Sequence, residues 1–182
     1  MIKRSIKCFM IFLLPLLLLL FILIIVWSIK NGIGPMPTSP PVKQILLDNL
    51  PLQEKGLIYE LGAGWGTLAF LLAHKYPQCT ILAYESSPIP YFFCRIRHFF
   101  SRSPHLHLQY HDFFKANLTD AKMIICYLYP VAMQKLKKKF EEELPKGAWV
   151  VTHTFAVPSW KAEQIIEVPD LYSTKIYIYR YT

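Results

Sequence analysis

The chain has 182 residues and lacks the marks of several common site chemistries. Its four cysteines, Cys8, Cys79, Cys94 and Cys126, stand apart among apolar neighbours and form no Cys-x-x-Cys pair. They offer neither a zinc site nor a disulfide framework and read as small reduced core residues. His105, His107 and His111 share one face of an extended segment, but no cysteine or acid joins them at ligand spacing, so no metal is expected. There is no Gly-x-Gly-x-x-Gly dinucleotide fingerprint and no Gly-Lys-Ser/Thr phosphate loop. No internal repeat or low-complexity tract appears after the first forty residues. Acids are few, and none precedes Asp48. The net charge of +8 overstates the folded part, because Lys3, Arg4, Lys7 and Lys30 flank the first apolar stretch and residues 31–182 carry 16 basic against 12 acidic side chains, a balance of +4. So small a surplus could favour an anionic membrane surface or nucleic acid and does not separate the two, and no nucleic acid is expected as a partner.

What the chain does have, first, is an apolar run. Cys8 to Ile29 is uninterrupted by charge, and its 22 residues, at ~1.5 Å each, reach about 33 Å, enough for a hydrocarbon core of roughly 30 Å. The competing reading, a cleaved signal peptide, expects a shorter apolar region ending in small residues, and no Ala-x-Ala-like site follows. Pro15 can kink such a helix without preventing insertion. The organisation expected is therefore a basic segment and membrane anchor over 1–30, a Pro/Gly linker over 31–41, and one domain over 42–182.

The rest is organised around Leu57 to Phe70, Leu-Ile-Tyr-Glu-Leu-Gly-Ala-Gly-Trp-Gly-Thr-Leu-Ala-Phe. An apolar run ends on Glu60, meets Gly62, Gly64 and Gly66, and passes into a segment of helical period: strand, tight turn, helix. Glycines let a ligand approach main-chain N–H groups, and the following helix aims its positive end at the turn. Alternation continues, with strands expected at 57–61, 80–85, 106–110, 123–127 and 148–154 and helices at 42–50, 67–75, 90–100 and 131–143. Two β-patterned runs, 163–168 and 175–181, close the chain as an antiparallel pair. Such alternation predicts an α/β fold, a Rossmann-like doubly wound and mostly parallel sheet with a terminal antiparallel strand. Ligands of such sheets bind at the carboxyl ends of the strands, where Glu60, Glu85 and Asp112 fall. Each acid alone is equally well a solvated strand end.

The Glu-x-Gly-x-Gly-x-Gly spacing resembles the first motif of class I S-adenosylmethionine methyltransferases. That resemblance implies S-adenosyl-L-methionine as cofactor, held by Glu60, Gly62, Ala63, Gly64 and Gly66 at its methionine end, by Glu85 at the ribose hydroxyls, and by Asp112 and Phe113 at the adenine. A narrower likeness lies in Pro35-Met36-Pro37-Thr38, Tyr84-Glu85 with Pro88, Tyr129-Pro130 with Met133, and Pro158-Ser159-Trp160. These resemble the small lysine methyltransferases of the ATP synthase c subunit and the adenine nucleotide translocase, and their bacterial relatives. Departures from that family's pattern are Trp65 and Thr67 in the glycine loop and Ser87 after the second strand. The Asn/Asp-Pro-Pro-Tyr tetrad of many other N-methyltransferases is absent, and Tyr127-Leu128-Tyr129-Pro130 stands there instead.

The resemblance implies methylation of a lysine in a membrane or membrane-proximal protein. A lysine amine, with an ordinary pKa of about 10.4, must lose its proton before attack, and an apolar aromatic channel favours that loss. Tyr127, Tyr129 and Trp160 are the candidates for lining it; for each, core packing is the alternative. Methylation of a lipid or apolar small molecule remains open, as does a degenerate domain that binds cofactor or partner without turnover. The membrane is the expected partner of the N-terminal helix, single-pass. The positive-inside rule would export the domain, whereas the cytosolic cofactor places it in the cytoplasm. Lys137–Lys139 facing Glu141–Glu143 read as a solvated helix face. Phe92, Phe93, Phe99 and Phe100, with Arg95, Arg97 and Arg102, read as core or as an interfacial patch.

Overall fold

The structure, a computed structural model, describes residues 2–32, 34 and 36–182. The side chains of residues 2–10, 30 and 31 lie outside that description, and with them Lys3, Arg4, Lys7, Lys30 and the thiol of Cys8, as does Pro35. Two compact units are present, 1–35 and 36–182. The first is helix α1 (Ile2–Asn31), with Pro15 inside it. Within it Ile11–Ile29, 19 residues with none buried, is long and apolar enough to cross a bilayer.

The second unit starts at Met36, within the stretch expected to be linker, and its first buried residue is Thr38. Helix α2 (Pro40–Asn49) opens on two prolines, harmless in a first turn where N–H groups have no helical acceptor, and buries Val42 and Leu46. There follow β1 (Gly56–Leu61), α3 (Thr67–Lys75), β2 (Cys79–Glu85), α4 (Pro88–Ser101), β3 (Leu106–Tyr110), a 3-10 turn (Phe113–Lys115), β4 (Ala121–Cys126), α5 (Pro130–Glu143), β5 (Trp149–His153), β6 (Gln164–Glu167) and β7 (Lys175–Arg180). Both α4 and α5 begin on the proline itself, one or two residues earlier than periodicity predicts, for the same first-turn reason.

The sheet has seven strands in the order β3-β2-β1-β4-β5-β7-β6, with β1 to β5 parallel and β7 antiparallel to both neighbours. The doubly wound, mostly parallel sheet expected from the alternation is therefore present. The closing pair is antiparallel, as its pattern suggested, but β7 inserts between β5 and β6, a step that periodicity cannot specify. Chain order reverses between β1 and β4, which opens a crevice above their carboxyl ends. Strands buried on both faces read as continuous apolar runs, and Met123–Cys126 is buried at every position. One face packs Ile58, Ile81 and Ile125 under α2 and α3; the other packs Tyr59, Leu61, Ile124 and Val150 under Met133, Leu136 and Phe140 of α5.

Candidate active site

At the carboxyl edge β1 gives way to the glycine bend. The N–H groups of Gly62 and Ala63 both donate to the Tyr84 carbonyl, at 3.0 and 2.8 Å, which turns the chain away from the sheet. Gly66, at φ 74°, starts α3, so the first free N–H groups of that helix face the bend. A Cβ on Gly66 would stand 2.8 Å from the Sγ of Cys94 and 2.9 Å from the Phe70 ring, and one on Gly62 would stand 2.9 Å from Leu128. At Gly64 a Cβ would meet nothing within 4 Å. The bend is thus packed on its protein side and open at its tip.

The two acids at this edge are in opposite states. Glu85 is buried and spends both oxygens on main-chain donors, Oε2 on the Gly64 N–H at 2.7 Å and Oε1 on the Ser87 N–H at 2.6 Å. It holds the bend against the start of α4. Glu60 is 4% exposed, and its Oε2 has no hydrogen-bond partner. Burial, then the nearby Glu85 charge, pushes its carboxyl up to about 8, against a smaller opposing effect of the Ala69 N–H. A buried polar atom without a partner is rare and unfavourable, so this oxygen is an acceptor that a donor on a ligand could satisfy. Cys94 lies beneath the bend, its Sγ 3.2 Å from the Gly64 carbonyl. Burial, with the two glutamates behind it, pushes its thiol up to about 12, so it packs and does not react.

Asp112 follows β3 at the same edge, since Leu61 registers with Tyr84 and Glu85 with Tyr110. It is exposed, and it caps the 3-10 turn by accepting from the Phe114 N–H at 3.0 Å. The half-buried Phe113 ring leans on Phe114, with centroids 4.5 Å apart. Glu60, Gly62, Ala63, Gly64, Gly66 and Glu85 form one connected group, while Asp112 and Phe113 stand at the same edge beyond β2 without a bond to it.

Past β4, Tyr127 stacks on His153 at the end of β5, centroids 4.1 Å apart and planes 27° from parallel. The His153 Nε2 lies 3.2 Å from the Thr38 Oγ1 and its Nδ1 3.3 Å from the Thr154 Oγ1. Burial lowers His153 to about 4, so it is neutral near pH 7. Thr38 and His153 were missed from sequence: 115 residues part them, and each alone looks like an ordinary polar end of an apolar run. Tyr129 is half-buried and precedes the first turn of α5.

Trp160 is not brought to this edge. It packs on Phe140, Tyr179 and Tyr181, and its Nε1 donates to the Glu141 Oε1 at 3.2 Å. Phe140 is ten residues into α5, about 15 Å from the carboxyl edge where that helix starts. Tyr181 bonds Ala148 ahead of the amino end of β5. The ring therefore closes the opposite end of the sheet. Trp65, in the glycine bend, turns instead to α4, where it meets Phe93 edge-on at 5.5 Å.

Residues 60–164 match the family model described as the ANTKMT methyltransferase domain. A protein-lysine N-methyltransferase of Saccharolobus islandicus (strain REY15A) is 23% identical over 141 residues, 74% of this chain and 84% of that protein. The adenine nucleotide translocase lysine N-methyltransferase of Mus musculus is 30% identical over 113 residues, 61% of this chain and 48% of that one, so the chain spans about half of the mouse protein. Among solved structures, an RNA methyltransferase of Salinibacter ruber in complex with S-adenosyl-L-homocysteine superposes with a TM-score of 0.71 at 25% identity, covering 80% of this chain and 93% of that one.

Proposed function

The chain belongs to the ANTKMT methyltransferase domain family and is a methyltransferase, and from that premise we propose that it is a membrane-anchored, S-adenosylmethionine-dependent protein-lysine methyltransferase. The observation that carries the cofactor assignment is the unpartnered buried oxygen of Glu60, beside a bend whose open tip lies at Gly64. An α-ammonium group is the donor such an oxygen lacks, and it would turn a strained neutral acid into an ion pair. When bound, S-adenosylmethionine supplies an electrophilic methyl group on a sulfonium. Gly62, Ala63, Gly64 and Gly66 would leave room for its chain. Glu85 already accepts two main-chain bonds and still has lone pairs for hydroxyl donors. Asp112 and Phe113 stand where an adenine would end.

The chain's own part in the reaction is positioning and desolvation. A displacement at a methyl group needs alignment of nucleophile and leaving group more than it needs an acid or base. Tyr127, braced by His153, and Tyr129 are the aromatic candidates for the substrate side. Their rings would hold the ammonium form by its charge and their apolar surroundings would favour its loss of a proton to water. His153, neutral, adds no repulsion to an arriving lysine. Trp160 is not part of this proposal, because it packs at the other end of the sheet.

A lysine in a membrane protein is the substrate class that the apolar Ile11–Ile29 span favours, since a tether in the same plane raises effective concentration. The cytosolic supply of the cofactor puts the catalytic domain in the cytoplasm. Incubation of the full chain with membranes and methyl-labelled S-adenosylmethionine tests the assignment. Label is expected in protein, as methyl-lysine after hydrolysis; label only in the lipid extract would replace lysine by a lipid substrate, and cofactor binding without label in either would make the domain non-catalytic. A reporter enzyme fused to the C-terminus should be active only if it works in the cytoplasm.

A further inference from the structure

Helix α4 turns its aromatic side outward. Only Pro90 and Cys94 are fully buried, while Phe92, Phe93, Ile96, Phe99 and Phe100 stay exposed, Phe99 at 82% and Phe100 at 75%. At roughly 100° per residue these five side chains form one stripe about 120° wide. Arg95 borders the stripe on one side and Arg97 on the other, both exposed, and Arg102 follows the helix end. No acid occurs from Pro88 to His111. The core expectation for these phenylalanines is therefore wrong for every one of them: the helix packs on the glycine bend through Cys94, and of the stripe Phe93 meets Trp65 edge-on while Phe92, Ile96, Phe99 and Phe100 stay at the surface.

Two observations choose the occupant. Ile11–Ile29 is long and apolar enough to cross a bilayer, and residues 32–39 between α1 and α2 are eight, at most about 30 Å of extended chain. The folded unit is thus tethered within that reach of any membrane that takes the span. The second is charge. An apolar stripe edged by arginines matches an interface with acyl chains at its centre and anionic headgroups at its borders. A second copy using the same patch would set arginine against arginine.

We propose that the Phe92–Phe100 stripe of α4 is a membrane-docking surface for an anionic lipid interface. It is a second contact, separate from the span of α1 and independent of the substrate assigned above. Through the Phe93–Trp65 contact it is continuous with the glycine bend, so the docked helix holds the bend near the headgroup layer.

The test uses the full chain carrying photoreactive p-benzoylphenylalanine at Phe99, reconstituted into vesicles of phosphatidylcholine with phosphatidylglycerol or of phosphatidylcholine alone. Leu52, 90% exposed in the connection between α2 and β1 and outside the stripe, is the control position. Irradiation is expected to give lipid adducts from position 99 in at least several-fold excess over position 52, with more in the anionic vesicles. The double change Arg95→Gln and Arg102→Gln should lower the anionic-vesicle yield on the order of 5-fold or more, as loss of near-surface cations would. Lipid yield at 99 no higher than at 52, or adducts at 99 to a second copy or another protein in place of lipid, overturns the surface. Equal yields in the two vesicle types overturn the headgroup pairing. Cofactor binding by the position-99 variant, measured in detergent, confirms that the chain is folded whichever adduct forms.

Discussion

If Glu60 meets the cationic end of the cofactor, binding must expel a proton. With its carboxyl pushed up to about 8, the group is about 90% protonated at pH 7 before binding, and only the ionised form can pair with an ammonium. Ionising it at pH 7 costs about 1.4 kcal/mol of the observed affinity. The ionised fraction rises from about 1% at pH 6 to about a quarter at pH 7.5, so affinity should rise about 20-fold over that window as far as Glu60 sets it. Titration calorimetry of the full chain in detergent, in two buffers of different ionisation enthalpy, should count close to 0.9 proton released per cofactor at pH 7. The ligand-free fold shows the mirror effect. A carboxyl raised from 4.5 to about 8 stabilises fully below pH 4.5, and that contribution, on the order of 5 kcal/mol in this fully buried site, is lost as pH rises through 8. Cofactor should therefore protect against unfolding more strongly at pH 7.5 than at pH 6. The Glu60→Gln variant should bind weakly and lose the pH slope. A wild-type affinity that is flat from pH 6 to 7.5, with no proton released, would refute the pairing.

Three further outcomes follow from the packing around the site. His153, held near 4 by burial against an ordinary 6.5, contributes stability that is complete above pH 6.5 and lost as pH falls through 4. That is about 3 kcal/mol, and the difference in unfolding midpoint between wild type and His153→Asn should shrink over that window. Gly66→Ala should destabilise by roughly 1–3 kcal/mol, because φ stays positive and the new methyl meets the Cys94 Sγ at 2.8 Å and the Phe70 ring at 2.9 Å; a Cys94→Ala background should relieve the sulfur contact alone and leave the backbone and Phe70 shares. Tyr129→Ala should keep cofactor affinity and lose turnover, whereas Trp160→Ala should lower the unfolding temperature with kcat/KM per folded molecule unchanged; unaltered turnover in the first, or a specific loss of turnover in the second, would reverse their roles.

Much of this fold was legible in the sequence because its strands and helices alternate with clear periods and its turns carry glycine or proline. The helices α3 and α5 and the strand β3 fall within a residue of their expected bounds for that reason. Three things were not legible. Insertion of β7 between β5 and β6 pairs strands that are not consecutive in the chain, a long-range choice that no local pattern records. Trp160 was a channel candidate as an aromatic of the Pro158-Ser159-Trp160 likeness, but the connection from β5 to β6 carries the ring back toward the amino edge. Contact between Thr38 and His153 joins the start of the domain to its fifth strand, and only the assembled sheet brings them within reach.

The acids teach a finer point. From sequence Glu60 and Glu85 are equivalent, each a carboxylate ending a buried strand, and both were expected to bind ligand. In the fold Glu85 is satisfied by two backbone donors and shapes the bend, while Glu60 is left short of one. What separates them is the turn after each strand. After β1 the glycines carry the chain across to the Tyr84 carbonyl, so their N–H groups turn away from Glu60; after β2 the chain reaches Pro88 at once, and the Ser87 N–H folds back on Glu85. Satisfying Glu85 costs the protein little and fixes the loop. Leaving the Glu60 Oε2 without a partner costs stability, and under the function proposed above the cofactor's ammonium would restore the missing bond.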